Sequence, residues 1–196
     1  MGEWRLFDGD VPHVSTFEFH EHRERAPHLE QPHHRPRLEK AAEFVRLAAA
    51  ELDEPTVSDL GCGDGGLLSL IHNEVAAWGY DFAPANAAGW AERGVTAFAF
   101  DVFGPERDKA NLGDIVVVTE VLEHLADPHG VVKWIGQNSQ FIVASSPWGE
   151  RPGAHDPCHA WAWNRSGYAA LIESGGYEVL RHDLVGPFQV ILGAKR

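Results

Sequence analysis

From Thr56 to the C-terminus the chain alternates short apolar runs with stretches of helical character, and this alternation constrains its fold more than any other feature. TVSDL, VAAWGYDF, TAFAFDV, DIVVVTE and QFIVASS have the length and branched-chain content of buried strands. Between them GGLLSLIHN, APANAAGWAERG and LEHLADPHGVVKWIGQN read as helical. Ahead of them LEKAAEFVRLAAAEL carries apolar residues at 38, 41, 42, 45, 48 and 49, the helical period, with Pro55 as its stop. Such alternation predicts an α/β fold, a mostly parallel sheet with helices on both faces. The C-terminal end departs from it. YEVLRHDLV and FQVILGAKR are separated only by Gly186 and Pro187, so they must pair as an antiparallel hairpin.

At 196 residues the chain has the size of one domain with a large core. Residues 1–36 are rich in His, Glu, Arg and Pro, with Trp4, Phe7, Phe17 and Phe19 as scattered apolar anchors. They read as an extended or partly helical arm ahead of a domain over 37–196. No apolar run approaches the ~20 residues that span a bilayer, so no membrane partner is expected. MGEWRLFDGD lacks the basic start and apolar core of a secretory signal. Two distant cysteines, Cys62 and Cys158, do not make a disulfide framework, and the expected location is the cytoplasm. The formal charge of −13 repels phosphate backbones and argues against a nucleic-acid partner.

VSDLGCGDGG (57–66) closes the first strand of the alternation and opens a helix. Gly61, Gly63 and Gly66 satisfy G-x-G-x-x-G, a turn that brings backbone and helix N–H groups up to a ligand. Asp59 and Asp64 sharpen that reading. A carboxylate beside the turn repels a pyrophosphate but attracts a ligand carrying an ammonium and a sulfonium centre, and S-adenosylmethionine is such a ligand. Asp81, ending the second strand, suits the two hydroxyls of a ribose. Asp101, after the third, suits an adenine amino group. Either could instead cap the turn that follows it.

Taken in order, DLGCGDG (59–65), DFAP (81–84), FDV (100–102), DIVVVTEVLEHL (114–125) and the closing hairpin resemble a class I S-adenosylmethionine-dependent methyltransferase over roughly residues 40–196. The resemblance implies a Rossmann-like fold: a seven-stranded, mostly parallel sheet whose last strand runs antiparallel. It also implies Asp59, Gly61 and Gly63 at the methionine portion of the cofactor, Asp81 at its ribose and Asp101 near its adenine.

TEVLEHLADPH (119–129) follows the strand IVVV. A helix starting at about Glu120 would put Glu120, Glu123 and His124 on one face, at the reactive edge of the sheet. Negative groups there also suit the helix dipole. Further on, GAHDPCHAWAWNR (153–165) supplies His159, followed by Trp161, Trp163 and Arg165. This pairing resembles the small-RNA 3′-terminal 2′-O-methyltransferases, and more loosely the ubiquinone-pathway O-methyltransferases. In the RNA family a Glu-x-x-Glu-His turn and a later histidine bind a divalent cation, which implies Glu120, Glu123, His124 and His159 as metal ligands here. Two carboxylates and two imidazoles suit Mg²⁺, Mn²⁺, Fe²⁺ or Zn²⁺ with open positions, and such an ion lowers the pKa of an acceptor hydroxyl. Without a metal, Glu120, His124 and His159 remain the catalytic candidates, either histidine as general base.

The acidic, short chain departs from the RNA family. The expectation is therefore O-methylation of a small organic acceptor, with RNA 2′-O-methylation as the rival and a non-catalytic cofactor-binding module as the non-enzymatic one. The arm and the loop bearing Trp148, Trp161 and Trp163 are expected to fold over the cofactor edge as an aromatic lid.

Overall fold

The computed structural model describes residues 2–8 and 16–196. Its elements in chain order are β1 (Glu3–Arg5), α1 (Phe17–Glu21), α2 (Arg35–Ala49), β2 (Thr56–Leu60), α3 (Leu68–Ile71), β3 (Ala76–Asp81), α4 (Ala87–Arg93), β4 (Ala97–Ala99), β5 (Ile115–Thr119), α5 (Pro128–Asn138), β6 (Phe141–Pro147), β7 (Trp161–Trp163), α6 (Arg165–Ser174), β8 (Tyr177–Val185) and β9 (Phe188–Lys195). Seven strands form one sheet in the order β4-β3-β2-β5-β6-β9-β8. β2 to β6 pair in parallel. β9 runs antiparallel to both neighbours, inserted between β6 and β8. The two-residue link forces that reversal, and the sheet is the one expected of the class I fold.

Alternation along β5 shows why the sheet is covered on both sides. Ile115 and Val117 join the core built on α2, with Leu38, Phe44 and Val45. Val116 and Val118 point the other way, into the core that Trp134, Ile135, Leu171 and Ile172 complete from α5 and α6. Fully burying an aliphatic side chain of this kind contributes roughly 1.5–3 kcal/mol. They fix the register that places Gly61, Asp81 and Glu120 at one edge.

Three expectations change. The helix after β5 does not begin at Glu120. That residue stands at φ +56°, a left-handed conformation no helix accommodates. A single 3-10 turn, Leu122–His124, follows, and α5 starts only at Pro128, with the Asp127 carboxylate accepting the Gly130 N–H at 2.9 Å. α2 ends at Ala49, well before Pro55. A second, two-stranded sheet pairs β1 with β7, Trp4 opposite Ala162, which strand length alone did not reveal.

That small sheet takes the tryptophans. Trp163 is fully buried, stacks on Trp161 at 6.2 Å and donates from its indole N–H to Glu3 at 2.8 Å. Trp148 is largely exposed and donates to the Gly186 carbonyl. They are core and surface residues, and the aromatic wall of the site comes from phenylalanines. Residues 9–15 of the arm lie outside the described residues. Its residues 2–8 contribute β1, and 16–34 pack along the strand ends: Phe17 lies 4.5 Å from Phe82, and Arg25 and Glu30 reach Asp64 and Arg93. Among the described residues no helix is long and apolar enough to cross a membrane.

Candidate active site

A cavity of about 800 Å³ opens where the strand ends meet the arm. Asp59, Gly61, Gly63, Asp81, Asp101, Glu120, Glu123, His124 and His159 all line it, so the structure brings every sequence-predicted site residue to one place. Phe17, Phe82, Phe103 and Phe188 supply its aromatic surface.

The glycine loop needs its glycines. Gly61 has φ +76°, and a Cβ there would meet Val121 at 2.5 Å; Gly63 has φ +53°. The Gly63 N–H donates to Asp81 Oδ2 at 2.9 Å, and Asp81 Oδ1 accepts from the Ala83 N–H and from Asn86 Nδ2. The strand-end carboxylate thus fastens the loop of β2 to the end of β3. Asp59 is 1% exposed, its Oδ1 has no hydrogen-bond partner, and burial followed by the nearby Asp81 pushes its carboxyl up to about 7. Asp101 Oδ1 accepts the Phe103 N–H at 3.1 Å, the capping role left open for it.

Asp64 does not serve as expected. It is 2% exposed, but its Oδ2 is taken by Arg25 at 3.2 Å and Arg93 at 2.7 Å, so its charge is neutralised within the protein. Its work is to hold the arm against the glycine loop.

At the other end of the cavity the ligand atoms of Glu123, His124 and His159 lie within 4.8 Å of one another. The imidazoles are oriented by their Nδ1 atoms. That of His124 donates to the Cys158 carbonyl at 2.8 Å, and that of His159 lies 2.7 Å from Glu150 Oε2. Both Nε2 atoms are thereby left for a ligand or a proton, the arrangement that an acceptor hydrogen-bonded to the opposite ring nitrogen imposes on metal-binding or basic histidines. Glu123 is 1% exposed and neither carboxylate oxygen has a hydrogen-bond partner. Burial, then Glu120, pushes its carboxyl well up. Burial, then His159, lowers His124 to about 3 and keeps it neutral.

Glu120 stands outside this trio. Its N–H donates to the Ser145 carbonyl at 3.0 Å and its Oε1 accepts from Ser145 Oγ at 2.8 Å, so β6 anchors both ends of a strained residue. Cys158 contributes its carbonyl to the site, and neither cysteine is disulfide-bonded. Sequence reasoning missed Arg37, Glu150 and Ser145. Arg37 sat at an ordinary helix start, and Glu150 and Ser145 belong to no motif.

A carboxyl-edge cavity with a glycine turn, over a sheet with one reversed strand, defines a class I methyltransferase. The sequence matches the methyltransferase-domain family over residues 32–180, three quarters of the chain, and the chain belongs to that family as an S-adenosylmethionine-dependent methyltransferase. No curated protein matches it. Among solved structures it is similar in fold to magnesium protoporphyrin IX methyltransferase from Synechocystis PCC 6803 with bound SAM, at 14% identity and TM-score 0.64, covering 97% of this chain and 88% of that one. It is similar also to 1,6-didemethyltoxoflavin-N1-methyltransferase from Burkholderia thailandensis, at 15% identity and TM-score 0.65, over 81% and 77% of the two chains. An O-methyltransferase family protein from the same organism aligns at 13% identity and TM-score 0.64, over 82% of this chain and 55% of that one.

Proposed function

We propose that this methyltransferase acts on the oxygen of a small organic acceptor, assisted by a divalent cation held by Glu123, His124 and His159, with Glu120 beside them. The observation that carries the reading is Glu123. A buried carboxylate with no hydrogen-bond donor is costly to maintain; Arg37 acts on it only through space, and the His124 and His159 imidazoles lie within reach of the same ion. The donor set fits a borderline or hard divalent ion.

When bound, S-adenosylmethionine supplies the electrophilic sulfonium methyl. A divalent cation in the trio would lower the pKa of an acceptor hydroxyl. The chain's own residues do the rest. Asp59, Gly61, Gly63 and Asp81 form the cofactor end of the cavity and Asp101 its far wall. Glu123, His124 and His159 form the end that receives the acceptor, where holding the oxygen in line is the main catalytic contribution. The arm acts as a lid that keeps water from the reacting oxygen. The neighbouring structures include magnesium protoporphyrin IX and toxoflavin-precursor methyltransferases, consistent with a small acceptor.

The His159–Glu150 contact favours a second, metal-free reading. In it His159 Nε2 takes the acceptor proton while Glu150 stabilises the imidazolium. Methyl transfer to a panel of phenols and catechols, with and without prior chelation, separates the two. Loss of turnover on chelation, restored by Mg²⁺ or Mn²⁺, supports the cation, and chelator-resistant turnover abolished by His159→Ala supports the general base. Transfer to nitrogen acceptors alone contradicts both.

A further inference from the structure

The arm brings one more imidazole to the acceptor end of the cavity. Thr16 caps α1, its hydroxyl oxygen accepting the Phe19 N–H at 3.4 Å, and the His20 N–H donates to the Thr16 carbonyl at 3.2 Å. Phe17 and His20, three residues apart, share a face of this short helix, and both line the cavity. Phe17 rests on Phe82. His20 lies against His124, with ring centroids 4.8 Å apart and planes at 66°. His124 stands in nearly the same relation to His159, at 4.9 Å and 70°. Three imidazoles from three separate segments thus form a row beside the buried Glu123 carboxylate.

These spacings suit rings that share an ion. Two imidazoles bound through nitrogen at ~2.1 Å to one cation hold their centroids about 4.5–5.3 Å apart, for angles from a right angle to the tetrahedral one. Edge-on ring packing tolerates the same distance. Apolar rings would serve packing equally well, however, and only imidazoles add nitrogen donors next to a carboxylate that lacks a hydrogen-bond partner. His20 is not among the ligand atoms that already lie within 4.8 Å of one another. Its ring stands at the required distance from His124, and a turn about its side-chain bonds presents a nitrogen to the ion.

We propose that His20 is a ligand the arm contributes to the cation site, so that the ion fastens the arm over the acceptor. The inference rests on the cation reading of Glu123, His124 and His159. Neither the Glu-x-x-Glu-His turn nor the later histidine supplies this ligand; it belongs to the arm alone. With four protein ligands a six-coordinate ion keeps two positions for the acceptor, and a third imidazole shifts the donor set away from Mg²⁺ toward ions that take nitrogen. Arm closure and cation binding then strengthen each other by the same factor.

Calorimetric titration of the metal-free protein with Mn²⁺ compares wild type, His20→Ala and His22→Ala. His22 ends the same helix, exposed, with its Nδ1 2.8 Å from the Glu18 carbonyl. His20→Ala is expected to weaken Mn²⁺ binding about tenfold or more, at least the cost of losing a partner one bond further from a metal, and His22→Ala to leave it unchanged. Trypsin reports on the arm. Saturating Mn²⁺ should slow cutting at Arg23 and Arg25 in wild type and in His22→Ala, but not in His20→Ala. Equal Mn²⁺ affinity in wild type and His20→Ala, an equal loss in His22→Ala, or equal protection of the arm in His20→Ala overturns the inference and leaves the cation reading standing. Wild type that takes up no Mn²⁺ overturns both. Should His20→Ala fail to fold, pulsed electron paramagnetic resonance of Mn²⁺ bound to wild type decides: three coupled imidazole nitrogens are expected, and two contradict the inference.

Discussion

Glu123 and Gly61 show how a single residue can be decided by opposite constraints. Glu123 is expensive to the fold and useful to the site, since its buried carboxylate oxygens have no hydrogen-bond partner. Glu123→Gln keeps the shape and removes the charge. Melting of the chelated variant should occur at or above the wild-type temperature, and the rise that Mn²⁺ gives the wild type should be absent. Gly61 serves the fold and the site together. Gly61→Ala adds a Cβ 2.5 Å from Val121 at φ +76°, so urea unfolding should show a loss of about 2 kcal/mol or more along with weaker S-adenosylhomocysteine binding. The glycines and strand-end aspartates were legible because their requirements are local. Arg37, Glu150 and Ser145 were not, because each acquires its role only when distant segments meet.

Among the elements, the strands and the closing hairpin could be read from the chain, since buried parallel strands are continuous apolar runs. The turn after β5 was misread as a helix. Asp127-Pro128 marks the true helix start with an N-cap and a first-turn proline, and that local signal outranks helical spacing at Glu120. The small β1–β7 sheet was invisible because three-residue strands carry no periodicity. The arm is held to the glycine loop through Asp64, where Arg25 and Arg93 converge. Asp64→Asn should therefore free the arm. Trypsin should cut near Arg23 and Arg25 faster than in wild type, and stability should fall by about 1–3 kcal/mol.

At the scale of the whole molecule, charge and protonation set the working range. His28 and His34 pack with tilted rings where the arm enters α2, 4.3 Å apart, and burial first, then neighbouring basic groups, lowers them to about 4 and about 3 from 6.5. The unfolded chain binds these protons more readily, so stability is at its full value above about pH 6.5 and declines as pH falls toward 4 and 3. Chemical denaturation at pH 7.5 and 5 should show this drop, and His34→Gln should reduce it. A net charge of −13 predicts no salt-sensitive retention of RNA in a gel shift. The account as a whole turns on what lies among Glu123, His124 and His159. A crystal of the protein soaked with S-adenosylhomocysteine and Mn²⁺, measured for anomalous scattering, tests that directly. The expected result is one manganese peak bonded to the Glu123 carboxylate and to both imidazole Nε2 atoms, at the acceptor end of the cavity. Density for S-adenosylhomocysteine with no anomalous peak among these residues would contradict it.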